Sequence, residues 1–261
     1  MKKVLKIDNL TTAYFVGSSK ERVLHKNIST EIRQGELICI LGLNGTGKST
    51  LIRTLLGMQK KASGKVFYDG NSIDEISIKE LSRLVSVVLT DKIDDAFLTA
   101  NELVATARYS FGNMSGKLNN KDLSIIDNAL KLTKTEHLKK KVFSQLSDGE
   151  KQRILIARAM AQDTPLIMLD EPAAFIDSPG KIGIMEMLKD LSTKENKTIL
   201  MTTHDIESAL RYADIFWILG KNGEFETGTK TEIIKKGLIS KFFNSGDVVF
   251  NSENSRFEKK N

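Results

Sequence analysis

The first chemical signal in this chain is the stretch Gly42-Leu-Asn-Gly-Thr-Gly-Lys-Ser-Thr50. It satisfies G-x-x-x-x-G-K-[ST] at Gly42, Gly47, Lys48 and Ser49. Phosphate oxygens are large, charged acceptors, so a loop that holds them must turn its amides inward with no Cβ atoms in the way. Glycines allow that path, and a helix beginning at the end of the loop adds free N–H groups and the positive end of its dipole. The loop from Gly42 through Asn44, Gly45 and Gly47 to Lys48, Ser49 and Thr50 is therefore expected to cradle the phosphates of a nucleotide. Lys48 can reach the β- and γ-phosphates, and the Ser49 hydroxyl can ligate Mg²⁺.

A second signal is the apolar run Pro165–Leu169, which ends in the adjacent carboxylates Asp170 and Glu171. A buried strand cannot hold two carboxylates, so they must emerge at its carboxyl edge, where open α/β sheets place ligands. Asp170 is expected to orient Mg²⁺ through its water shell. Glu171 is expected to position and deprotonate a water for in-line attack on the γ-phosphate.

Three further positions each have a plain reading beside a chemical one. Ser147 and Glu150 form a capping box ahead of a helix, and a capped helix N-terminus that includes Gly149 also binds anions. His204 follows a strand and precedes a helix that Asp205 can cap; it is an ordinary strand-end histidine or a γ-phosphate contact. Tyr14 ends the first extended segment; it is a core tyrosine or a stacking surface for adenine.

The elements that must position these residues follow from periodicity. Residues 3–14 and 22–34 read as two extended segments about a polar turn, and Glu36–Leu41 as a buried strand. A helix runs from the loop to about 57. Gly64–Gly70 reads as a strand, 78–83 as a short helix and Leu84–Leu89 as a strand, an alternation that argues for a mainly parallel sheet. From about 92 to 162 the pattern is helical, at 101–111, 121–133 and 149–161. Alternation then resumes with strands at 165–169, 197–202 and 215–219 and helices at 178–194 and 206–212. The tail from 238 reads as a helix and a small hairpin.

Composition sets the outer limits. The chain has 261 residues, 40% of them hydrophobic, a net charge of +6 and an isoelectric point near 9.2. No apolar run approaches the ~20 residues that span a bilayer, and the N-terminus lacks the apolar core of a signal peptide, so a cytoplasmic location is expected. A single cysteine, Cys39, excludes an intrachain disulfide and a cysteine-rich zinc site. Its place inside an apolar strand points to packing. The basic balance permits nucleic acid or an anionic membrane surface, but the lysines lie in short scattered clusters with no interleaved aromatics.

Taken together, Tyr14, the loop 42–49, Leu146–Glu150, Asp170-Glu171, Asp177 and His204 stand in the order and spacing of an ABC transporter ATPase subunit, which the chain resembles over residues 4–230. The resemblance implies an α/β fold: a P-loop NTPase core with a mainly parallel sheet, N-terminal antiparallel strands and an inserted helical subdomain. It would form one ABC ATPase domain over 1–261, with core 1–91 and 163–230, helical insertion 92–162 and tail 231–261. It implies that Tyr14 stacks on adenine, that Ser147, Gly149 and Glu150 belong to the signature that contacts ATP, that Asp177 contacts a second subunit and that His204 is the switch histidine. ATP and Mg²⁺ are the implied ligands.

Two positions depart from the family pattern. Glu150 stands where a glutamine is usual, with Asp148 in place of a glycine. Thr90 stands where the family commonly has a glutamine in the Mg²⁺ shell; being shorter, it is expected to reach the metal through water. The segment Leu98–Tyr109 and the overall length are most similar to importers of iron-siderophore, haem and cobalamin complexes. The implied partners are a second copy, in a head-to-tail homodimer, and an integral membrane permease served by a substrate-binding protein. The chain would then sit peripherally on the inner face of the membrane, and no nucleic-acid partner is expected. An exporter subunit, or a non-transport ABC ATPase acting on nucleic acid or ribosomes, is the alternative.

Overall fold

Alternating apolar residues build the first layer. The computed structural model describes residues 2–90, 97–109, 111 and 118–260. Strands β1 (Lys3–Tyr14) and β2 (Arg22–Arg33) pair antiparallel, and the buried residues of β1 step from Leu5 and Ile7 to Leu10 and Thr12. The step breaks the two-residue period at Asn9, whose φ of 49° and shifted register mark a bulge. Opposite the bulge runs β4 (Lys61–Tyr68), which begins three residues before the expected Gly64. Gly64, with φ +89°, packs against the Asn9 carbonyl where a Cβ would overlap it. A glycine that looks like a strand boundary is thus the residue that lets the pairing continue. The short β5 (Asn71–Ser72) completes a sheet ordered β2-β1-β4-β5.

The second layer is a six-stranded sheet. It holds β3 (Leu37–Gly42), β6 (Val85–Val88), β7 (Leu166–Leu169), β8 (Thr198–Thr203), β9 (Ile215–Leu219) and β10 (Phe225–Thr229), ordered β10-β9-β3-β8-β7-β6. All neighbours are parallel except β10, which returns antiparallel along β9. Strand β3 is buried on both faces. Ile38 and Ile40 face α1 (Lys48–Leu55) and the antiparallel sheet, while Leu37, Cys39 and Leu41 face the helices beyond. Helix α1 is wedged between the sheets through Leu51, Ile52 and Leu55. Truncating one of these to alanine costs roughly 3 kcal/mol and loosens the helix that carries the glycine loop.

Helices fill the far face. The short α2 (Ile78–Leu81) leads into β6, and between β6 and β7 the described residues form only helices and isolated bridges. They are α3 (Ala100–Ala105), α4 (Asn120–Leu132) and α5 (Asp148–Ala161), with short 3₁₀ turns. The expected helix 101–111 is an α-helix only to Ala105 and a 3₁₀ turn through Arg108. Arg108 turns inward there, pairing with Asp122 at 2.9 Å and donating to the Ala161 carbonyl at 3.1 Å. Residues 92–96, 110 and 112–117 of the expected insertion lie outside the described residues. Helices α6 (Ser178–Thr193) and α7 (Ile206–Tyr212) pack on the same face.

The C-terminal region contains α8 (Lys230–Lys235), α9 (Leu238–Phe243) and a hairpin of β11 (Val248–Asn251) with β12 (Arg256–Lys259). The expected helix and hairpin are both present; β10 and α8 were not foreseen. Phe250 and Phe257 meet at a tilt of 60°, with ring centroids 5.3 Å apart, and pin the hairpin to the helical layer.

Candidate active site

Strand order brings the site together. Strands β3, β8 and β7 are consecutive neighbours and run parallel, so the chain leaves all three at one edge. From β3 comes the loop that leads into α1. From β8 comes His204, and from β7 come Asp170 and Glu171.

The loop has the form that anion binding requires. Gly45 and Gly47 have φ of +79° and +90°, a region costly to residues with a Cβ. A Cβ at Gly47 would lie 2.8 Å from Cε1 of His25, and one at Gly42 would overlap the Thr46 hydroxyl. No side chain caps α1 and its first turn holds no acid, so its leading amides remain open to a ligand. Lys48 is buried at 7% exposure, with Nζ donating to the Gly42 carbonyl at 2.8 Å and lying 3.6 Å from Oε1 of Glu171.

The carboxylates are held by neighbouring strands. The Asp170 amide donates to the Val88 carbonyl at 2.8 Å. Its Oδ2 accepts from the Thr90 hydroxyl at 3.0 Å and its Oδ1 from the Thr202 hydroxyl at 2.6 Å. Glu171 adopts φ +53°, and its Oε2 lies 2.6 Å from Nδ1 of His204. The expected residues Lys48, Asp170, Glu171, His204 and Thr90 thus form one connected cluster. Tyr14, 39% exposed, lies beside α1, where its hydroxyl accepts from Thr50 at 3.1 Å.

Ser147 and Asp177 are placed elsewhere by their own helices. Ser147 and Glu150 make the reciprocal cap of α5, at 3.4 Å to the Glu150 amide and 2.9 Å back to Oε2. The Glu150 carboxyl is held below the usual range by that Ser147 amide. Asp177 caps α6 by accepting from the Gly180 amide at 3.1 Å. Among the described residues, neither cap shares a hydrogen bond or ion pair with the 42–50 loop.

Two neighbours of the cluster were not foreseen. Thr202 could have been noticed as one of two threonines that follow the apolar run Ile199–Met201 at the end of β8. His25 lies in the inward register of β2 with Ile28 and Ile32. Its Nε2 donates to the Thr46 carbonyl at 2.7 Å, and Nδ1 meets the Thr12 hydroxyl at 2.7 Å. Burial lowers its pKa from the ordinary histidine value, with the Thr46 bond opposing. Cys39 is buried, and burial pushes its thiol pKa well above the usual range.

The donor set suits a divalent cation that keeps oxygen ligands from substrate and water. A hydroxyl at Ser49 and a carboxylate at Asp170 are hard donors, and no group of three or more His, Cys, Asp or Glu residues able to hold a metal occurs among the described residues.

Residues 25–174, more than half of the chain, match the sequence model described as ABC transporter. The chain belongs to the ABC transporter family. The ABC transporter ATP-binding protein MJ0873 of Methanocaldococcus jannaschii is 33% identical over 99% of this chain and 87% of its own length. The ferric enterobactin transport ATP-binding protein FepC of Escherichia coli is 32% identical over 84% of this chain and 80% of its own. Among solved structures, the dimeric ATP-binding cassette MJ0796 in a post-hydrolysis state with ADP and Pi superposes with a TM-score of 0.73. It is 28% identical and covers 87% of this chain and 98% of that one. This ABC chain is accordingly an ATPase on a P-loop NTPase fold. No helix among its described residues is long and apolar enough to cross a membrane.

Proposed function

We propose that this chain is the ATP-hydrolysing subunit of an importer for metal chelates of the iron-siderophore, haem or cobalamin type. The observation that carries the hydrolytic reading is the convergence of Lys48, Asp170, Glu171 and His204 on one sheet edge beside a glycine loop. The import reading rests on relatives such as FepC, whose name specifies ferric enterobactin.

In this reading the amides of Gly42–Thr50, including Asn44 and Gly45, hold the triphosphate with Lys48, and Tyr14 stacks on adenine. Ser49 and Asp170 hold Mg²⁺, which when bound neutralises charge on the phosphate oxygens. Thr90 acts on that site through the Asp170 carboxylate rather than as a ligand. Glu171 takes the proton of the attacking water, and His204 fixes the other oxygen of the same carboxylate. Ser147, Gly149 and Glu150 serve the nucleotide of a second copy and Asp177 contacts that copy, so one two-fold axis makes two equivalent sites. ATP favours the closed pair because it is fully held only there. Opening after hydrolysis is transmitted through the helices between β6 and β7 to a permease, which takes its cargo from a substrate-binding protein. The chain works at the inner face of the membrane, docked on that permease.

The test is Glu171→Gln. The variant is expected to run as an ATP-dependent dimer in gel filtration with no phosphate release; turnover at the wild-type rate contradicts Glu171 as the base. For the cargo, a deletion strain should lose uptake of radiolabelled iron chelates, haem or cobalamin, and undiminished uptake of all three overturns the importer reading.

A further inference from the structure

Thr202 is fully buried in β8. The parallel register pairs Leu169 with Met201, which sets Thr202 alongside Asp170. Its single hydroxyl is used twice: it donates to Oδ1 of Asp170 at 2.6 Å and accepts the Glu171 amide at 2.8 Å. The amide it holds belongs to a residue with φ +53°, a conformation unfavourable for a side chain of this kind. A valine would fill nearly the same space in a buried strand, so packing alone does not require the hydroxyl. Thr90 holds the opposite oxygen of Asp170 at 3.0 Å and meets the Asp170 carbonyl only at 3.3 Å, while the N–H of that same peptide, the Glu171 amide, is held by Thr202 at 2.8 Å.

We propose that Thr202 is a positioning residue for hydrolysis. One hydroxyl fixes both the orientation of the Asp170 carboxylate and the left-handed turn that aims Glu171. The inference rests on the reading of Glu171 as the base, and the test separates the two.

Steady-state ATP hydrolysis and equilibrium binding of a fluorescent ATP analogue are measured on the full chain and on Thr202→Val, Thr202→Ser, Thr90→Val and Glu171→Gln. Thr202→Val is expected to lose about ten- to a hundredfold in kcat, the scale set by small misplacements of reacting groups, while KM and analogue affinity stay within about twofold. Thr202→Ser, which keeps the hydroxyl, is expected to return to within about threefold of wild type. Thr90→Val is expected to fall less than Thr202→Val. Should Thr202→Val fail to bind the analogue, Thr202→Ala takes its place with the same expectation. Wild-type kcat in the hydroxyl-free variant, or equal losses in Thr202→Val and Thr202→Ser, overturns the inference. If Glu171→Gln is inactive while Thr202→Val is unimpaired, only the role of Thr202 falls. A hydrolysing Glu171→Gln overturns both.

Discussion

Nδ1 of His204 lies 2.6 Å from Oε2 of Glu171, while Oε1 of the same carboxylate lies 3.6 Å from Nζ of Lys48. The carboxylate is thus held between a side chain from the end of β8 and one from the start of α1. Its orientation is set before any substrate arrives. His204 is the more exposed partner, at 56% against 16% for Glu171, and is free to meet a ligand on its outer side.

Replacing His204 with alanine leaves one oxygen of Glu171 unheld. The variant is expected to bind ATP normally and to lose about a hundredfold in kcat, within the range for a group that assists proton transfer. Phosphate release together with a nucleotide-binding isotherm checks it; a large loss of affinity would place His204 in binding instead.

Ser147 separates stability from activity. Ser147→Ala removes the cap of α5 and is expected to cost about 1 kcal/mol of stability. Ser147→Arg removes the same cap but also places a bulky cation where the second copy's nucleotide is proposed to dock. It is expected to melt near the alanine variant and bind ATP, yet release no phosphate. Thermal melts beside hydrolysis assays distinguish the two effects.

His25 makes stability depend on pH. Its folded-state pKa is lowered by burial, so in the window below the ordinary value the unfolded chain takes up a proton that the folded chain refuses. Its contribution to stability is therefore fully present above the ordinary value of about 6.5 and is lost progressively below it, as pH falls towards and through the lowered folded-state pKa. His25→Gln keeps a donor that can reach Thr46 and has no proton to gain. Its melting temperature is expected to fall less than that of wild type between about pH 7.5 and about pH 5.5; parallel curves would show that His25 does not contribute.

Arg108 joins α3's trailing turn to α4 and α5. Arg108→Leu leaves Asp122 without its buried cation and the Ala161 carbonyl without its donor. The expected loss is on the order of 3 kcal/mol, which lowers the melting temperature by roughly 6–12 °C in a domain of this size. A calorimetric scan gives the answer directly.

Much of the frame is legible in the sequence because the decisive cues are local. The glycine loop, the apolar run before it and the carboxylates closing β7 each announce an element and its end. Helix α7 and strand β9 match their expected limits, since Asp205 caps the one and an apolar run defines the other. Strand β10 escaped because Phe225–Thr229 is a partly exposed edge with a glycine and no clear alternation. Strand order was out of reach for a different reason. Parallel neighbours are joined through long connections, so nothing local says that β8 lies between β3 and β7. The contacts of Thr202 depend wholly on that order, and those of His25 on β2 passing beneath the loop. The stand-in at Thr90 was visible as a departure, but its bond to Asp170 required the β6–β7 pairing.

The buried thiol of Cys39 has a practical consequence for spectroscopy. It is the sole cysteine in the sequence, it has no solvent exposure, and burial keeps it from ionising near neutral pH. Thiolate-seeking dyes and spin labels therefore pass over it in the folded protein. Reporter cysteines can be introduced at exposed sites such as Ile78 or Val248 without first stripping the native one from the centre of the sheet.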